Sequence, residues 1–176
     1  MKLPKIRPNV VNLALQGGGA HGAFTWGVLD YLLEDGRLDY EGLSGTSAGA
    51  MNAVAFAHGY LKGGKAGARK ALADLWYAVA ESLPFEVAVR TADGEGVTLA
   101  PPLKLMLQWT HYLSPNLLNP LDIDPLRKIV SDQIDFERIR RNRKLKLFIA
   151  ATNANTGKLR IFRRNELSVD AVLASA

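Results

Sequence analysis

The chain has 176 residues, 48% of them hydrophobic, with no cysteine, three histidines and a formal net charge of +5. That length suits one α/β domain, the composition is globular, and the absence of thiols excludes disulfides and thiolate metal sites. The positive balance favours anionic partners, phospholipid headgroups or nucleic acid, without choosing between them. No run reaches the ~20 apolar residues of a membrane span. The histidines and carboxylates show no ligand spacing, so neither metal nor cofactor is expected. The start, MKLPKIRPNVVNLAL, is basic and apolar like a signal peptide, but Pro4, Pro8, Asn9 and Asn12 interrupt it. It reads as a lead into a first strand, and the cytoplasm is the expected location, with peripheral membrane contact compatible with the charge.

Val10 to Gln16, bounded by Pro8 and a glycine cluster, predicts a buried strand. Ala20 to Glu34 predicts a helix, with Phe24, Val28, Tyr31 and Leu32 at helical spacing and a stop near Gly36. Tyr40 to Gly45 is a second short strand. Ser47 to Tyr60 is alanine-rich and helical, closing before a flexible Leu61-Lys62-Gly63-Gly64. Ala66 to Leu83 is a further helix, apolar at Leu72, Leu75, Trp76 and Val79. From Pro84 to Leu121 the chain becomes rich in proline, with an apolar patch at Leu103 to Leu113. This reads as a cap-like excursion holding a short helix, its patch either core or the wall of an acyl pocket. Asp122 to Ile134 returns to helix, with Asp124 as N-cap and Pro125 at the first helical position. Lys144 to Thr152 and Lys158 to Arg163 are strands joined at Thr156-Gly157, and Ser168 opens a last helix. The order predicts one three-layer α/β/α domain over residues 1–176, built on a mostly parallel central sheet.

Gly45-Thr46-Ser47-Ala48-Gly49 is a Gly-x-Ser-x-Gly sequence between a strand and a helix, the context of a nucleophile elbow. There the helix start directs N–H groups towards a developing oxyanion. The plainer reading is a serine N-cap in a small-residue turn. Gly17-Gly18-Gly19-Ala20-His21-Gly22 also joins a strand to a helix, and its bare N–H groups form an anion cradle. Gly17, Gly19 and Gly22 match the dinucleotide fingerprint as well. That fingerprint wants an acid at the carboxyl end of the second strand, roughly 20 residues on. Asp39 and Glu41 stand at its start instead, and Ser47 follows its end. A nucleophile beside a nest of donors is an acyl-transfer arrangement, and that reading is preferred to a nucleotide-binding module.

At this point the sequence resembles the patatin-like phospholipase family, through LALQGGGAHGAFTWGVLDYLLE, LSGTSAGAMNA, LFIAATNANTGKLRIF and LSVDAVLASA. The resemblance implies a serine–aspartate dyad that hydrolyses fatty-acyl esters of phospholipids, lysophospholipids or neutral lipids. It implies Ser47 as nucleophile and Gly17, Gly18 and Gly19 as oxyanion donors, with Gly22, Gly45 and Gly49 supporting them. This chain carries His21 where many members have a basic residue. The family's aspartate lies in an Asp-Gly-Gly or Asp-Gly-Ala motif downstream of the helix opening at Ser168. The expectation is therefore an N-terminal part of a catalytic domain, completed by the same or a second polypeptide, with a lipid or lysophospholipid substrate. A non-catalytic fragment is the remaining alternative.

Other residues have plainer readings. Asp170 lies in the first turn of a helix, where an acid suits the dipole. Asp93 and His111 would complete a triad with Ser47 in chain order, but both fall in the least regular segment. His58 reads as a favourable helix-end charge. Arg138, Arg140, Arg141, Arg143, Lys144 and Lys146 read as a solvated face, with a headgroup patch as the alternative. No aromatic residue interleaves this run, so no nucleic-acid partner is expected.

Overall fold

The computed structural model describes residues 9–82, 88–90, 97–99 and 124–176. Its four-stranded sheet has the order β1 (Asn9–Leu15), β2 (Leu38–Thr46), β5 (Lys146–Thr152), β6 (Leu159–Arg163). The first three strands are parallel and β6 returns antiparallel to β5 through a turn in which Gly157 has φ 66°. The fold is therefore α/β with a mostly parallel sheet, as the order of elements predicts. Parallel neighbours need crossover helices, and α1 (Gly22–Asp35) and α2 (Ala48–Glu81) supply them. Residues 78–125 form a compact unit of their own. In that unit the structure describes the antiparallel pair β3 (Ala88–Arg90) and β4 (Val97–Leu99). Most of the excursion from Pro84 to Leu121, including its apolar patch, its expected short helix, Asp93 and His111, lies outside the described residues.

The core sits between α2 and the sheet. Leu43 of β2, Leu147 and Ile149 of β5, and Ala50, Val54 and Phe56 of α2 are all buried. Tyr40 of β2 packs edge-on against Phe56 and Tyr60, with centroids 5.0 and 6.0 Å apart. Such contacts add to the roughly 1.5–3 kcal/mol that burying each large apolar side chain contributes.

Two helical expectations need correction. On α1 the residues that bury are Gly22, Leu29 and Leu33, whereas Phe24 is 78% exposed and Tyr31 67%. The spacing of Phe24, Val28, Tyr31 and Leu32 located the helix but not its buried side, where bare Gly22 lets Ala48 and Trp76 of α2 approach. In α2, Leu61 and Lys62 continue the helix, and the break falls on Gly63 and Gly64 alone. The two arms then fold together where Gly59 meets Gly67, since a Cβ on either would overlap the other's carbonyl oxygen.

The helices α3 (Pro125–Gln133) and α4 (Phe136–Arg141) precede β5. Arg138, Arg140 and Arg141 thus belong to a helix, capped by Asp135, whose carboxylate accepts from the Arg138 N–H at 2.8 Å. Arg140 is a tether, donating to the Leu167 carbonyl at 2.7 Å.

His58 is not a helix-end charge. Its Nδ1 accepts from the Asp135 N–H at 3.0 Å, which requires an unprotonated nitrogen. Burial foremost, helped by Lys62 and Arg138 against Asp135, holds its pKa below the ordinary 6.5. In the window just below 6.5 the unfolded chain binds more protons than the folded one, so stability rises with pH there. The His58 contribution is full above 6.5 and is lost as pH falls towards the depressed folded value. Denaturant midpoints taken from pH 7.5 down to pH 5 are expected to fall, and His58→Gln is expected to flatten part of that slope. An unchanged slope in the variant would remove His58 as its source.

Candidate active site

β2 ends at Thr46 and α2 begins at Ala48, so Ser47 makes the turn between them alone. Its φ is 53°, and among the described residues it is the only non-glycine with a positive φ. That conformation costs roughly 1–2 kcal/mol in an L-residue, and such strain clusters at functional sites. Two glycines make the turn possible. A Cβ on Gly45 would overlap the Gly49 carbonyl, and a Cβ on Gly49 would overlap the Leu15 carbonyl. The first turn of α2 therefore rests directly on the ends of β2 and β1.

The backbone of Ser47 is engaged on both sides. Its carbonyl accepts from the N–H of Ala50 at 2.8 Å and of Met51 at 3.2 Å, starting α2. Its own N–H donates to Ser175 Oγ at 2.8 Å. The half-buried side chain is different: among the described residues, Ser47 Oγ makes no hydrogen bond and caps no backbone N–H.

The glycine loop lies against this turn because β1 pairs in parallel with β2, Leu15 opposite Gly45. A Cβ on Gly17 would come within 3.0 Å of the Thr46 carbonyl and 3.1 Å of Ser47 Cβ. Gly18 at φ 153° and Gly19 at φ 55° hold conformations that only glycine adopts easily. The Gly18 carbonyl accepts from both the N–H and Nδ1 of His21, each at 3.1 Å, so Nδ1 carries a proton and His21 closes the loop on itself. Gly22 admits α2, since a Cβ there would stand 2.6 Å from both Ala48 Cβ and a Trp76 ring carbon.

Two residues of this framework carry no sequence signal of the usual kind. Asn52, fully buried, donates to the Gly22 carbonyl at 3.0 Å and accepts from Trp76 Nε1 at 2.8 Å. An amide in a run of alanines was the available hint. Ser175 had only its place in the segment LSVDAVLASA, which does not reveal its partners because they are far away in the chain.

A cleft of about 290 Å³, lined by Ala14, Gln16, Ser44, Thr46 and Ala150 among others, opens at the carboxyl ends of β1, β2 and β5. A second cleft, among Arg143, Lys146, Arg163 and Arg164, lies at the amino half of β5; it includes two residues of the basic run but neither Ser47 nor any residue of the two glycine motifs. Asp39 and Glu41 are at the other end of β2 from Ser47 and pair with Lys65 and Lys146, at 3.3 and 2.5 Å. Neither is placed to hold a ribose beside the glycine loop. Asp170 is exposed and paired with Arg127 at 2.8 Å. No group of three histidines or carboxylates among the described residues could hold a metal ion.

Residues 13–176 match the patatin-like phospholipase family. The chain belongs to that family. Two solved structures of ExoU with SpcU, from the type III secretion system of Pseudomonas aeruginosa, are similar at 20% identity and TM-score 0.43. The similarity covers 96% of this chain and 36% and 38% of the matched chains, so the chain spans little more than a third of their length. Comparison with curated proteins finds no match. Among the described residues, no helix is long and apolar enough to cross a membrane.

Proposed function

We propose that this patatin-like chain is a serine acyl hydrolase cleaving fatty-acyl esters of phospholipids or lysophospholipids, with Ser47 as nucleophile. The observation that carries the reading is the left-handed Ser47 between β2 and α2, its hydroxyl unbonded among the described residues, against a loop of bare glycines. In the reaction Ser47 Oγ attacks the acyl carbon, its proton passes to a general base, and the carbonyl oxygen becomes an oxyanion. The N–H groups of Gly17, Gly18 and Gly19 and the first N–H groups of α2 stabilise that charge. Collapse expels the lysolipid or alcohol, which takes the proton, and water then releases the fatty acid from Ser47. The cleft at the carboxyl ends of β1, β2 and β5 receives the start of the acyl chain. The base, on this reading, is an aspartate outside the described residues. Asp170 is unsuited to the role, being held by Arg127.

A fluorophosphonate probe tests the reading. Protein expressed from its full reading frame is expected to be labelled at Ser47, located by peptide mass. Folded protein that stays unlabelled there would overturn the assignment.

The glycine loop is tested separately. Gly19→Ala is expected to lower turnover by roughly 10²–10³, the usual effect of a lost oxyanion donor. No atom lies within 4 Å of the added Cβ, but φ 55° disfavours alanine, so the N–H turns away while packing survives. Unaltered turnover on p-nitrophenyl butyrate, with only KM changed, would make the loop a binding element.

A further inference from the structure

Ser175 is the residue outside the two glycine motifs whose side chain reaches the elbow by a hydrogen bond among the described residues. It sits two residues past α5 (Val169–Leu173), and 128 positions separate it from Ser47. Its hydroxyl is used twice. Oγ donates to the Ala150 carbonyl of β5 at 2.5 Å and accepts from the Ser47 N–H at 2.8 Å. A hydroxyl has one proton to give, and Ala150 takes it, so a lone pair is left facing Ser47. The polarity of the bridge is thereby set.

We infer that Ser175 is a positioning residue, holding the Ser47 backbone in its left-handed turn and so aiming Ser47 Oγ. The inference rests on the reading of Ser47 as nucleophile for its catalytic consequence, though not for the bridge itself. A peptide unit at φ 53° has neighbouring conformations of lower energy, and rotation towards them would swing the Oγ away. The Ser47 carbonyl is fixed by the first turn of α2 and its N–H by Ser175, so neither end of the residue is free to rotate. Ala150 is itself paired in β5, opposite Thr46 on one side and Ile161 on the other, which makes the anchor a sheet position. The bridge has a second consequence. With its N–H already donated, Ser47 cannot serve as an oxyanion donor, and that work falls to the glycine loop and the start of α2.

The test combines amide exchange with kinetics, on protein from the full reading frame. In the wild type the Ser47 amide is expected to exchange slowly, although it precedes a helix start, where amides without a partner exchange fast. In Ser175→Ala its protection is expected to fall roughly tenfold, the size of one intramolecular hydrogen bond, relative to the amide of Val54, buried in α2. Ser175→Thr, which keeps the hydroxyl, is expected to restore it. A Ser47 amide that exchanges fast in the wild type overturns the inference, whether or not the alanine variant folds. So does protection that is the same in Ser175→Ala. On a short-chain ester, kcat is expected to fall roughly tenfold in Ser175→Ala with KM unchanged, and to recover in Ser175→Thr. A rise in KM alone would overturn the positioning role. A wild type without turnover counts against Ser47 as nucleophile, whereas the exchange result decides the Ser175 bridge by itself.

Discussion

Ser47→Ala is expected to lower ester turnover by roughly 10⁴-fold or more while leaving the protein folded, since removing the nucleophile abolishes the covalent route and leaves only the oxyanion donors. The fold is expected to survive because Ser47 Oγ makes no hydrogen bond among the described residues. Both structural bonds of Ser47 are made by its backbone, to Ser175 and to the first turn of α2. Ser47→Gly sharpens the result. Glycine tolerates φ 53° without the Cβ penalty, so this variant is expected to be inactive yet more stable than wild type by about 1 kcal/mol. A stable, inactive glycine variant is the signature of strain kept for function. Turnover of p-nitrophenyl butyrate and a denaturation curve for each form check both statements. Turnover retained in either variant would move the nucleophile elsewhere.

The second large effect is structural. Gly49→Ala is expected to destabilise the fold by about 3 kcal/mol or more, because overpacking against atoms that cannot move is costly. The added Cβ would overlap the Leu15 carbonyl, a backbone atom of a sheet strand, and it also approaches the Gln16 carbonyl. Neither can yield without opening β1 from β2. Gly27→Ala is the internal control, since nothing lies within 4 Å of its added Cβ and its φ is helical. Glycine in a helix interior costs roughly 0.5–1 kcal/mol relative to alanine, so this change is expected to stabilise. Chemical denaturation of both variants reads the contrast. A Gly49→Ala protein as stable as wild type would mean that the elbow does not rest on β1.

The strands and the two glycine motifs were legible because their signals are local. A short apolar run ended by glycine, or a serine between two glycines at a strand–helix junction, is readable within a few residues. β1, β2, β5 and β6 fall within two residues of their expected bounds, but β1 is not the buried strand its apolar run suggested: it lies at the end of the described sheet order, buried only at Leu15. The apolar positions Leu72, Leu75 and Trp76 also bury as expected. The face of α1 was not legible. Phe24 and Tyr31 carry more apolar surface than Leu29 and Leu33, but Gly22 decides which side can approach α2. The basic run was read as one charged surface, yet a capped helix and β5 divide it, and Arg140 spends its charge on a carbonyl. His58 likewise depended on a distant partner, the Asp135 N–H, which lies 77 positions on.

The sequence by itself determined the α/β class, the family, and the pairing of a Gly-x-Ser-x-Gly turn with a triple-glycine loop. Each depends on residues adjacent in the chain, whose backbone preferences act before any tertiary contact forms. Only the tertiary structure decided how the elbow is held. The Ser175 bridge joins residues 128 positions apart, and the Asn52 link to Gly22 and Trp76 joins α1 to both arms of α2. A hydrogen bond across such separations is chosen by the packing of whole elements, because a hydroxyl or an amide finds its partner only after the sheet and helices have placed their backbones.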